Sequence, residues 1–494
     1  MVRLPVLSLL VPCLLASLAA HAATHVWTGA GDDHFSNASN WIGGSPVGDP
    51  SAAISFPASG RPAATNDLNG LTVQSIAFSA GGFTISGKPI TLAANATVID
   101  TSQGTNTISC NLVLAGDIAV AVNGSIYDAK GLTLSGVISG PGGITLRSGG
   151  HLIYAGSQPN SYKGLTRVLY GELQLKKSAN VTAIAGDLAI EDDGFNYEYG
   201  YLSVFNDEQI ANSSHVTIGH RATFGCAATQ TLGPVTLLRG AQLQTAAVNG
   251  NALTGTVIFA GDIELAGTAQ ADIHTSGTFL LQGIRTISAT SGYGVWSNLS
   301  GPGQKTAGGG IILNGAADGD GTFSTVLDFT RATYDGSTTI NGGGVRVDAP
   351  RSAVDLRNGT YSGHCKSLTA EGGVLYLPSY LGGVTSDGDV NLSPSAIVAY
   401  EVGTPMKMNG AFDLGGANLR IDTNPAFNYG TVYKVVDNTS TNPVTGRFAN
   451  LPEGALIANR YKISYTGGDG NDVTLTDFGL VPSSVSWTLS PFYP

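Results

Sequence analysis

Residues 161–175 read SYKGLTRVLYGELQL, and residues 333–347 read TYDGSTTINGGGVRV. The two stretches share a skeleton. Tyr162, Gly164, Thr166, Val168, Gly171 and Leu173 fall on Tyr334, Gly336, Thr338, Ile340, Gly343 and Val345, at an offset of 172. A second shared phrase lies upstream, Ser139-Gly140-Pro141-Gly142 and Ser300-Gly301-Pro302-Gly303, at an offset of 161. The later copy therefore carries an 11-residue insertion in or near ADGDGTFSTVLDF. Alternating apolar positions separated by a glycine turn describe a strand, a corner and a second strand. One such unit cannot bury its own apolar face, so its recurrence predicts coils stacked into a β-solenoid. The expected fold is all-β, an elongated parallel β-helix with capped ends and roughly 20–25 residues per coil.

Working outward, the same alternation runs through LTVQSIAF, ITLAANATVID and TISCNLVLAGDIAVAV before the first copy, and through VTLLRGAQLQT, GTVIFAGDIELAG and GTFLLQG after it. Gly372–Leu377 is a weaker third echo. No stretch has the period of a long amphipathic helix. The organisation predicted is a signal peptide over 1–22, an N-terminal cap over 23–64, the solenoid over 65–430, capping strands over 431–478 and a tail over 479–494. The signal peptide rests on Arg3, the apolar run behind it and the small residues of Ala20-His21-Ala22. No membrane span is expected once it is removed, and the protein is expected outside the cell or at its surface, with the periplasm as the other destination.

Composition narrows the function. Charged residues make up 12% of the chain, while glycine contributes 68 of 494 residues and hydrophobic residues 42%. That profile fits many short strands and tight corners rather than a disordered chain. The net charge is −11, and the densest cationic feature is the pair Lys176-Lys177. Nucleic acid is therefore not an expected partner, because phosphate binding needs a basic face. Cys110, Cys226 and Cys365 are far apart and odd in number. They read as buried small residues, with a Cys110–Cys226 bridge as the alternative.

Three stretches invite a chemical reading. Trp27 and Trp41, within VWTG…FSNASNW, read as a cover for the open end of the first coil, or alternatively as a sugar-stacking platform. Gly467–Leu475, GGDGNDVTL, is similar to one calcium-binding nonapeptide repeat, but Thr474 stands where an aliphatic belongs, so a glycine-rich corner is the simpler reading. The acidic, aromatic stretch 191–201, EDDGFNYEYGY, breaks the strand rhythm. It reads as a protruding loop, and Asp192, Asp193, Tyr197, Glu198 and Tyr199 are the candidate ligand residues. Asp318, Asp320, Asp328, Asp335 and Arg331 have no spacing that fixes them to one face, and His215 and His220 are five apart, which points them to opposite faces of a strand. No metal-ligand, nucleophile or phosphate-loop motif is found, and no cofactor or catalytic residue is expected.

The unit S-G-P-G … Y-x-G-x-T-x-[IV]-x-x-G-x-[LV], with VWTG…FSNxxNW before it and GRF…LPEG…YKISYxGGDGNDVxL after it, resembles the autotransporter-associated β-strand repeat. The resemblance covers about a third of the chain. It implies a right-handed parallel β-helix that is exported and acts in adhesion or as a surface stalk, with cell-surface or matrix glycans or proteins as partners. Autotransporters end in a membrane barrel, and here the solenoid pattern runs to the edge of the tail at 479–494. A carbohydrate-binding or polysaccharide-degrading β-helix is the alternative.

Overall fold

The computed structural model describes residues 23–479, except 192–198, 249–254, 267–270, 290–293, 298–309, 315–325, 330–335, 378–382 and the single positions 103, 129, 220, 239, 277, 343 and 424. The chain is a right-handed parallel β-helix. Each coil lays down three short strands. In one coil these are Thr105–Ile108, Leu112–Leu114 and Ile118–Val122; in the next, Gly131–Leu134, Ile138–Ser139 and the start of Ile144–Tyr154. Like strands stack in parallel on three faces.

Alternation fixes the register. On one face Ile54 lies over Ile76, Ile76 over Val98 and Val98 over Val120, an even step along the chain each time. The same column continues through Leu146, Val168, Ile190 and Ile218, with longer steps into Leu146 and Ile218 where a corner loop is inserted. All these residues are buried. Burying each is worth about 1.5–3 kcal/mol, and a one-residue slip would turn a whole strand's set to solvent. Further along the coils tighten, so that Leu356 already lies over Ile340 and Ala370 over Leu356. Parallel stacking already holds from Thr24–Trp27, which pairs parallel with Ala52–Phe56, ahead of residue 65.

The repeated motif has a physical basis. Tyr162 is buried, and its Oη lies 2.5 Å from Thr166 Oγ1. Thr166 opens one strand of the ladder and Thr338 opens a later strand of the same face, with Val168 and Ile340 both buried two residues on. Thr338 Oγ1 lies 2.9 Å from Ser352 Oγ. Tyr334 and Gly343 lie outside the described residues. Buried amides stitch the corners: Asn160 accepts from Ile138 N at 2.9 Å and donates to Ala183 O at 2.8 Å, so one side chain ties three coils.

Both ends are covered by aromatic residues or antiparallel strands. Trp27 and Trp41 pack at 4.9 Å between ring centroids, with Phe35 and Phe56 against them. Both indoles are buried and donate to Arg61 O and Phe35 O. They cover the coil end and offer no stacking surface. At the other end Val432–Asn438 pairs antiparallel with Asp472–Asp477, which pairs antiparallel with Tyr461–Gly467. GGDGNDVTL is thus a hairpin turn, and Asp472 accepts from Asn438 N and pairs with Lys434. Cys110, Cys226 and Cys365 are free and buried; burial pushes the first two thiols up to about 12 and the third to about 11. No helix among the described residues is long and apolar enough to cross a membrane.

A buried ion pair locks the C-terminal strands. Arg460 Nε and Nη2 donate to Asp477 Oδ1 and Oδ2 at 2.9 and 2.6 Å, and Asn428 N and Gly479 N also donate to Asp477. The guanidinium holds the Asp477 carboxyl well below the usual carboxylate range. A depressed folded value means the stabilisation is full above the ordinary aspartate value of 3.8 and is lost as pH falls through the folded one. Asp477→Asn should therefore melt below the parent at about pH 7, with the gap narrowing at about pH 2.5. A gap independent of pH in thermal melts would refute this assignment.

Candidate functional site

One corner of the helix, between Ile118–Val122 and Gly131–Leu134 and its equivalents in the next coils, gathers tyrosines. Tyr127 stands 80% exposed in the loop between those two strands. Tyr170 lies in the next-but-one coil, paired in register with Arg147. Its phenol fits because position 149 is glycine; a methyl there would sit 2.8 Å from the Tyr170 oxygen. Tyr199 and Tyr201 follow one coil on, where the long excursion from Glu191 returns to the ladder. Arg221 donates to the Tyr199 hydroxyl at 2.9 Å and its guanidinium carbon lies 5.9 Å from that ring. Burial pushes the Tyr201 phenol up, and the charges of Tyr127, Tyr199 and Tyr170 add to the rise.

Beside the tyrosines runs a polar row on the outward side of the sheet. His151, Glu172, Tyr201, Thr223 and Gln242 are aligned in register, coil over coil. Alternation turns the neighbouring Leu152, Leu173, Leu202, Phe224 and Leu243 into the core, so this row faces away from it. Outward residues of a solenoid are normally wet. Here His151 is 4% exposed, Glu172 1% and Ser203 0%. Part of the cover is the segment 246–248: Val248 N donates to Ser203 Oγ at 2.9 Å, and a methyl on Gly225 would meet Ala246 O at 2.5 Å.

His151, Glu172, Gln174 and Ser203 form one hydrogen-bonded cluster. Glu172 Oε2 lies 2.8 Å from His151 Nδ1 and 2.9 Å from Gln174 Nε2, while Oε1 accepts from Ser203 Oγ at 2.5 Å. Gln174 Nε2 also lies 2.9 Å from His151 Nδ1, so the imidazole, the carboxylate and the amide meet at one point. Glu172, with both oxygens engaged, positions its neighbours.

Of the five loop residues expected to contact a ligand, Tyr199 lies in this corner; Asp192, Asp193, Tyr197 and Glu198 lie outside the described residues. Gly164 and Gly171 serve the coil itself: a methyl on the first would lie 2.2 Å from Gly143 N, and the second has φ +88° beneath Ser148 O. Gly336 is described and half-buried. Of the histidine pair, His215 Nε2 lies 2.8 Å from Thr236 Oγ1, and His220 falls outside the described residues, as do Asp318, Asp320, Arg331 and Asp335. Asp32, Asp33 and His34 bring ligand atoms within 4.8 Å of one another. Asp32, however, accepts from His34 N, Asn37 Nδ2 and Asn40 Nδ2, which hold its carboxyl down at about 2. That cluster organises the N-terminal loop.

The sequence did not single out His151, Glu172, Gln174 and Ser203. The available signal was the placement of a histidine, a carboxylate and an amide on one outward row of adjacent coils. Comparison with protein families, curated proteins and solved structures finds no match for this chain.

Proposed function

We propose that this chain is an exported bacterial surface or extracellular structural protein, a rigid rod whose corner loops are displayed for adhesion to glycans or proteins. The single observation that carries the reading is the tyrosine corner: Tyr127, Tyr170, Tyr199 and Tyr201, drawn from three coils, lie along one corner beside a sheltered polar row on an otherwise regular solenoid. Aromatic side chains with a polar tip are favoured where a surface must bind. The resemblance to the autotransporter-associated repeat and the leader-like stretch 1–22 support export. The covered N-terminal end supports a rod that stands without pairing its first coil to other chains.

Beads coated with the chain from residue 23 onward should adhere to bacterial or matrix surfaces, and the double change Tyr127→Ala, Tyr199→Ala should cut retention several-fold while the melting temperature holds. Equal retention of both proteins, or of neither above bare beads, would remove the adhesion reading.

A further inference from the structure

We infer that the rod pairs end to end with a second copy of itself, through the open edge of the strand Asn418–Thr423. The antiparallel cover at the C-terminal end lies on the face that closes with Val432–Asn438. The neighbouring face closes with Asn418–Thr423, which pairs parallel with Ile397–Glu401 and, among the described residues, with no strand on its other side. The next coil starts to cover that edge and stops. Ala449 N donates to Ala417 O at 2.8 Å, but Asn450 then takes φ +56°, Leu451 N turns back to Phe448 O at 3.2 Å, and Pro452 follows. The lost cover shows in the core column: Val398 and Tyr400 are buried, whereas Leu419 and Ile421, in register over them, are only partly so. A strand with one unpaired edge is a template for another strand.

Hydrogen-bond parity and charge select the partner. Asn418 N donates to Ala396 O, in the preceding coil, while Ala417 O accepts from Ala449 on the other side. The ladder is regular from Asn418 to Ile421, so Leu419 and Ile421 aim their N–H and C=O groups at the open edge. In an antiparallel pair centred on Ile421, the two copies of Ile421 exchange both main-chain bonds. Arg420 then stands opposite the partner's Asp422, at the position where side chains approach most closely. Arg420 and Asp422 share the outward face, since Arg420 Nη2 donates to Asp422 Oδ2 at 2.9 Å within the strand, and pairing assembles four alternating charges. A lone lysine guards an edge because a second copy brings the same sign. This edge carries both signs, symmetric about Ile421, and so complements itself as a two-fold contact requires. The loop that leaves the strand adds apolar surface: Phe427 and Tyr429 are 59% and 69% exposed, and Phe478 packs on Tyr429 at 5.8 Å.

The test is sedimentation equilibrium of the chain from residue 23 onward, which should show a reversible dimer. Arg420→Asp and Asp422→Arg each set like charges across the pair and should weaken association about tenfold or more, with the melting temperature unchanged because both side chains are on the surface. An equimolar mixture of the two variants restores opposite charges at both positions and should sediment as a heterodimer. A monomeric parent overturns the inference, whether solvent or the chain's own residues fill the edge. A dimer that both variants form as tightly as the parent overturns the surface. Variants that stay monomeric even when mixed overturn the antiparallel register centred on Ile421. The adhesive reading is scored separately, through Tyr127 and Tyr199 on coated beads, and survives or falls independently of each of these results.

Discussion

Gly164→Ala should lower the stability of the chain by about 3 kcal/mol or more, read as a shift in the denaturant midpoint. The reason is backbone proximity. A methyl on Gly164 would lie 2.2 Å from Gly143 N and 2.4 Å from Gly142 C, and these atoms belong to the backbone of the preceding coil. A side chain could rotate away, whereas a backbone can yield only by separating the coils. The glycines stack: a methyl on Gly142 would meet Gly116 O at 2.0 Å, and one on Gly186 would meet Gly164 O at 2.5 Å. One methyl thus loosens a corner that four coils share. Gly219→Ala is the matched control, because a methyl there meets the Leu238 side chain at 3.1 Å and should cost under about 1 kcal/mol. Equal losses at both positions would show that glycine content, rather than coil contact, governs stability.

That glycine column explains why the architecture was readable. At residues 162–166 the Y-x-G-x-T skeleton records a buried phenol on a threonine hydroxyl and a corner where only glycine fits. Trp27 and Trp41 were readable as a cover for the same reason, since a solenoid end must bury something. Coil length was less legible. The steps from Ile340 to Leu356 and on to Ala370 are shorter than the coil length expected from the repeat, because the two long strands Gly344–Leu356 and Thr360–Ala370 run through corners without loops.

The candidate site was half legible. Tyr199 announced itself through the break in alternation at 191–201. His151 and Glu172 did not, because alternation places them outward, and outward polar residues look like ordinary wet surface. Ser203, which donates to Glu172, is in turn reached by the 246–248 segment, which lies several coils further along the chain. No local pattern encodes that contact. Lys177 illustrates the same blindness: in sequence it is half of an exposed-looking basic pair, yet Lys176 lies over Phe205 while Lys177 is wholly buried.

Lys177→Met should cost about 1–3 kcal/mol near neutral pH, the usual consequence of leaving buried acceptors unpaired. Lys177 Nζ donates to Ala155 O and Gln158 O at 2.9 Å each and to Gly136 O at 3.5 Å. Two effects compete. Burial lowers the ammonium's value to about 8 from 10.5, which by itself favours removing the charge. Yet methionine would leave three backbone carbonyls in place with no donor, and those cannot be replaced with apolar atoms. The unpaired carbonyls outweigh the desolvation, because at about 8 the ammonium is still the major form at neutral pH. A folded value below the unfolded one means the unfolded chain binds more protons between about 8 and 10.5, so this lysine's penalty is full below that window and relieved as pH rises through it. The parent's advantage over Lys177→Met should therefore widen between about pH 8 and pH 10.5 in urea titrations run side by side. If the variant matches the parent at neutral pH, or if the gap closes on raising the pH, the carbonyl cage is not what holds Gly136, Ala155 and Gln158 together.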